Sequence, residues 1–214
     1  MMLKFYMTPG SCSTGIHILL EEVEVPFEVT ILNLPAGDHR QPCYLVINPK
    51  GTIPALMLTD GHVLTEFQAI AYWLARTYPR KGLLPEDPVK AATAMELMDY
   101  VVGTIHGQGY TRIFTTDTYL PPGLAEDEAQ RWRSAMEARG QEIVDQGFKV
   151  IEARLSDEGY AVGPRLSIAD AALFYVFFWA DRIGLPLPER CAELYQRLRA
   201  RPVVRQVLME EGYR

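Results

Sequence analysis

Cysteine and histidine are scarce in this chain, long apolar runs are missing, and basic residues are in the minority. Its 214 residues include three cysteines, Cys12, Cys43 and Cys191. That odd number, without a C-x-x-C pair or finger-like spacing, excludes a disulfide framework and a structural zinc site and points to a reducing compartment. The four histidines are scattered, none of them four residues from another, so no metal is expected. No apolar stretch approaches the roughly 18 residues of a membrane span, and the opening MMLKFYMTPG lacks the apolar core of a secretory signal. A cytoplasmic location, with no membrane partner, is the expectation. Lysine and arginine number 21 against 27 acidic residues, a net charge of −6, so nucleic acid is not an expected partner and any anionic ligand must be held locally. What is present is a 48% hydrophobic, 22% charged composition sufficient for one sizeable core or two small ones. No internal repeat or low-complexity tract interrupts it.

Hydrophobic periodicity divides the chain in two. Leu3 to Thr8 read as a strand broken by Pro9-Gly10. Ile16, Leu19, Leu20 and Val23 then recur at helical spacing, and PFEVTILNL from Pro26 is a second, β-branched strand. Parallel pairing would make the intervening helix a βαβ crossover. After a polar loop and a short apolar turn from Tyr44 to Ile47, a strand over Ala55 to Leu58 turns at Asp60-Gly61 into His62-Val63-Leu64. A helix over Glu66 to Tyr78, with Ile70, Trp73, Leu74 and Thr77 on one face, stops at Pro79. Residues 79–88, PRKGLLPEDP, form a linker between a domain over 1–78 and an all-helical domain over 89–214. In the latter, helices are expected over Val89 to about Thr116, Ala125 to Leu155, Ser167 to Ile183, Pro188 to Ala200 and Pro202 to Glu211. Ser167-Ile168-Ala169-Asp170 has the form of a capping box, with Asp170 as a folding residue whose removal would cost about 1 kcal/mol.

Several residues could carry chemistry. Cys12 lies at the start of the first helix, where unpaired N–H groups and the helix dipole favour a thiolate; the alternative is a small hydrophobe filling the strand–helix junction. Ser11 and Ser13 flank it, Ser13 reading better as a helix cap. The sequence Cys12-Ser13-Thr14-Gly15 supplies no resolving cysteine, which argues against dithiol chemistry. His106 sits in Thr104-Ile105-His106-Gly107-Gln108-Gly109, where two glycines weaken the helix and it is given up either to a close approach or to a frayed end. His39 and Arg40 are solvated loop residues or, with Lys50, an anion-binding edge. On its own terms the Ile53-Pro54 bond is expected to be trans.

Pro9-Gly10-Ser11-Cys12-Ser13, Asn48-Pro49-Lys50-Gly51, Ile53-Pro54-Ala55-Leu56, Leu64-Thr65-Glu66 with Ala69-Ile70, the proline-rich linker and Ser167-Ile168-Ala169-Asp170 follow one another in an order that resembles the cytosolic glutathione transferases, most of all the bacterial beta class. The resemblance implies a thioredoxin-like first domain (β-α-β, α, β-β-α) that binds glutathione, a helical second domain that holds a hydrophobic co-substrate, and a homodimer. It implies that Cys12 faces the glutathione sulfur, with Ser11 as its rival, that Ile53 pairs with the cysteinyl unit, and that Pro54 is cis. Glu66 falls near the γ-glutamyl end, His39 near the glycyl carboxylate and His106 near the thiol. Two positions depart from the family pattern: Phe67 stands where a serine is common, and Gly107 where the beta class tends to place a lysine. Tyr6, Tyr110, Phe114 and Trp179 are the expected apolar walls. The implied activity is conjugation of glutathione to a hydrophobic electrophile. The alternatives are monothiol oxidoreduction through Cys12 and non-catalytic binding of a ligand or partner protein.

Overall fold

The computed structural model describes residues 2–213. Strand β1 (Leu3–Met7), helix α1 (Ser13–Val23) and strand β2 (Phe27–Ile31) form the βαβ unit, with Leu3 opposite Phe27 and Met7 opposite Ile31 in parallel register. A short helix α2 (Pro42–Leu45) precedes strands β3 (Ala55–Met57) and β4 (Val63–Thr65). Gly61 takes φ 89° in the turn between the strands, where Asp60 accepts from His62 N–H at 2.9 Å. Strand order is β2-β1-β3-β4, with β3 antiparallel to both neighbours. Helix α3 (Phe67–Thr77) follows directly. Its buried stripe is Phe67, Ile70, Ala71, Leu74 and Ala75. Thr77 is exposed and Trp73 half-buried, which corrects the expected face: the two alanines bring α3 close to its neighbours.

Helix α4 (Pro88–Tyr100) starts where Asp87 accepts from Lys90 N–H at 2.8 Å. The chain does not give up helix at its glycines. It widens into a π-helix over Val101–Tyr110 and tightens again in α5 (Thr111–Phe114). The reason is visible against α6 (Glu126–Arg154). A β-carbon at Gly109 would lie 2.7 Å from Val144, and one at Gly140 would lie 2.7 Å from the Gly109 carbonyl oxygen. Absent side chains let the two helices touch.

Helix α7 (Ile168–Ile183) is buried at every residue from Ile168 to Ala180 and packs on α1 and α3 as well as on α4 and α8 (Glu189–Arg199). The hydrophobic core is accordingly continuous across both halves of the chain. Helix α9 (Pro202–Glu210) returns to lie along α1.

At the start of α7, Asp170 is fully buried. Its carboxylate accepts from Ser167 N–H, Ser167 Oγ and Ala161 N–H, each at 2.8 Å. Burial pushes this carboxyl up to about 6, while the three donors pull it down. A carboxyl with a folded pKa above its unfolded value of about 4 holds its proton more firmly when folded. Its contribution to stability is therefore greatest below about pH 4 and declines as pH rises through about 6. Because Asp170→Ala strands three buried donors, we expect it to cost about 3 kcal/mol at pH 7 rather than the ~1 kcal/mol of a surface cap. Urea denaturation checks this, and a loss under ~1 kcal/mol would contradict it.

Candidate active site

The turn after β1 is built around the Thr8 carbonyl. It accepts from Ser11 N–H (3.2 Å), Ser11 Oγ (2.7 Å) and Ser13 Oγ (3.0 Å), and Thr8 N–H donates to Ser13 Oγ at 3.1 Å. Ser13 is thus the first residue of α1, tied back to the strand, and not its cap. Cys12 holds the cap position. Its thiol faces the Ile53 carbonyl oxygen at 3.8 Å, and the Ile53–Pro54 bond is cis. Burial pushes the Cys12 thiol up to about 12, with backbone donors at the helix start opposing and Glu66 adding to the rise. The expected thiolate is therefore not favoured here. Desolvation outweighs the helix end.

The same turn is held from the far end of the chain. Trp179 Nε1–H donates to the Gly10 carbonyl at 2.7 Å. Glu211 accepts from Gly10 N–H and from the Thr14 hydroxyl, both at 2.7 Å, and meets His17 Nδ1 at 2.9 Å. Tyr213 lies against Gly10, where a β-carbon would fall 2.1 Å from its hydroxyl. No sequence signal marks Glu211, because its partners are about two hundred positions away. His17, Glu21 and Glu210 place potential ligand atoms within 4.8 Å of one another. Gln206 Nε2 already donates to both carboxylates there, at 3.3 and 2.9 Å.

Between the domains lies a cleft of about 670 Å³ whose lining includes Ser11, Cys12, His39, Ile53 and His106. Tyr110, Phe114 and Trp179 form its apolar wall. The Tyr110 and Phe114 rings are stacked at 5.4 Å, with Trp179 edge-on at 5.0 and 5.4 Å. His106 sits 4.9 Å from the Trp179 ring with Nδ1 3.3 Å from the Tyr175 hydroxyl, and burial pushes its pKa down to about 4, so it is neutral at pH 7.

Four expected residues stand elsewhere. Tyr6 is not a cleft wall: alternation along β1 sends it to the opposite face of the sheet, where it packs on Tyr44 at 5.8 Å between ring centroids. The Phe67 side chain is buried 5.4 Å from the Tyr175 ring and fills the space left by Gly15, so only its backbone is available to a ligand. Lys50 Nζ pairs with Glu66 at 2.5 Å and donates to Thr65 Oγ1 at 2.8 Å, outside the cleft lining. Glu66 itself has φ 74°, which turns the chain sharply into α3.

A thioredoxin-like sheet joined to a helical bundle, with a Ser-Cys turn at the seam, defines the class. Comparison identifies the family. The N-terminal domain model of glutathione S-transferases matches residues 10–77, and the C-terminal model matches 125–205. Glutathione S-transferase GstA of Escherichia coli O157:H7 is 33% identical, covering 98% of this chain and 99% of its own. Maleylacetoacetate isomerase of Pseudomonas aeruginosa is 28% identical, covering 87% of this chain and 84% of its own. A glutathione transferase homolog from Sulfitobacter, solved with bound glutathione, superposes with TM-score 0.87 at 29% identity, covering 100% of this chain and 99% of its own. The chain belongs to the glutathione S-transferase family.

Two outcomes are expected. Glu211→Ala leaves the Gly10 N–H and the Thr14 hydroxyl without their acceptor and should lower stability by about 3 kcal/mol, read by urea denaturation; a change below ~0.5 kcal/mol would show that Glu211 does not hold the turn. At pH 7.5 iodoacetamide should modify the exposed Cys43 well before the buried Cys12. Peptide mass mapping reads the order of modification.

Proposed function

We propose that this protein conjugates reduced glutathione to an apolar electrophile held in the interdomain cleft. The carrying observation is that the Cys12 turn and Ile53 form one side of the cleft and the Tyr110–Phe114–Trp179 wall forms the other. Extended along Ile53, the tripeptide would take up a backbone N–H that makes no hydrogen bond among the described residues. Helix α3 begins without a side-chain cap, so its first N–H groups remain for the γ-glutamyl carboxylate and replace the donor that Phe67 lacks. His39 Nδ1 is buried without a partner and suits the glycyl carboxylate.

In this reading Cys12, still protonated, turns its S–H from the long 3.8 Å contact with the Ile53 carbonyl to the glutathione sulfur and stabilises a thiolate that would otherwise form with a pKa of about 8.5. Ser11 is the weaker candidate, because its hydroxyl is already taken by Thr8 and by Ser13 at 2.6 Å. Neutral His106 lends a dipole to the site. With an aryl chloride the glutathione sulfur forms the carbon–sulfur bond, chloride leaves with the bonding pair, and the thiol proton goes to solvent. A monothiol redox role would require Cys12 to ionise, which its burial opposes. Glutathione-dependent isomerisation is a second reading, favoured by the 28% identity to an enzyme named maleylacetoacetate isomerase. It would consume no glutathione.

Calorimetric titration of reduced glutathione should give saturable binding, and Cys12→Ala should lower kcat/KM for conjugation by about a hundredfold, the scale of one lost transition-state donor. Absence of heat, together with an unshifted melting temperature, would leave the binder reading in its place. Turnover of substrate with glutathione undiminished would favour isomerisation.

A further inference from the structure

The cleft carries the opposite charge to the protein. Acidic residues outnumber basic ones 27 to 21 in the chain, yet among the described residues no aspartate or glutamate lines the cleft, while Arg40 and Arg182 do. Neither arginine makes an ion pair or a side-chain hydrogen bond among the described residues. Asp181, beside Arg182 in sequence, instead meets Arg199 at 3.3 Å and the Tyr195 hydroxyl at 3.0 Å.

The two arginines stand on different walls. Arg40 follows His39 on the first-domain side, the side that the proposed function gives to glutathione. Arg182 is in the last turn of α7, three residues after Trp179, where the negative end of the helix dipole favours a cation without a carboxylate partner. Its guanidinium lies over the Tyr213 ring, 5.6 Å from the centroid, and the Tyr213 ring in turn packs edge-on against Phe178 at 5.0 Å. Stacking of this kind limits the directions in which the planar fork of donors can point. Arg182 thus shares the cleft lining with the aromatic wall, and its guanidinium has no ion-pair partner among the described residues.

We propose that Arg182 selects, as the second substrate, an aromatic electrophile that carries a carboxylate. The ring stacks on the Phe114–Trp179 wall and the carboxylate is held by the Arg182 guanidinium as a charge-assisted pair. This rests on the conjugation reading for what happens to the ligand, but not for its binding.

The test titrates 4-chloro-3-nitrobenzoate and its methyl ester, separately, into the full protein and into Arg182→Met. Arg182 is exposed, and methionine preserves much of its stem, so the variant is expected to fold. The acid should bind wild type about tenfold more tightly than the ester, and Arg182→Met should bring the acid down to the affinity of the ester. Equal affinities in wild type, no binding of the acid, or a preference that survives in Arg182→Met would each overturn the inference. Glutathione is titrated in parallel. Its failure to bind would sink the conjugation reading while leaving the acid-versus-ester comparison intact.

Discussion

Helix α7 has no exposed face along its first thirteen residues, from Ile168 to Ala180, and an α-helix buried all round can be stable only with neighbours on every side. The thioredoxin-like sheet cannot supply them all, and neither can the bundle. Both halves of the chain therefore close on the same helix, which makes the domain boundary visible in sequence but not in the core. The cleft is the seam left where they meet. Trp179, near the end of α7, still reaches back to the Gly10 carbonyl, so the helix that joins the domains also fixes the turn that carries Cys12.

That turn illustrates how a site can be assembled from weakly informative parts. Gly10 is gripped at its carbonyl by Trp179 and at its N–H by Glu211, residues that no local pattern connects to it. The buried Glu211 carboxylate is hydrogen-bonded by three partners: Gly10, Thr14 and His17. A buried anion with such partners gives rigidity that a mobile loop would lack. Rigidity of this kind suits the positioning that the proposed conjugation requires.

Burial also decides how the titratable groups of the cleft behave. Cys12 at a helix start has the position of an activated thiol, yet its surroundings raise its pKa to about 12. His106 is held neutral by the same effect. Both are therefore poorly suited to carrying charge themselves. The family resemblance located these residues; their protonation states follow from packing.

By itself the sequence determined the order of elements, the thioredoxin-like and helical halves, the Ser11-Cys12 turn, the Asp60-Gly61 hairpin and the Ser167–Asp170 helix start. Each depends on periodicity or on residues within a few positions, which is the range over which backbone propensity and side-chain capping act. Tertiary structure alone decided that Tyr6 leaves the cleft while Phe67 fills the core behind Gly15, that the glycine-rich stretch stays helical in π form, and that Glu211 anchors the turn that carries Cys12. Those outcomes depend on which surfaces meet, and on how much water is expelled when they do. Neither quantity is defined until residues hundreds of positions apart are brought into contact.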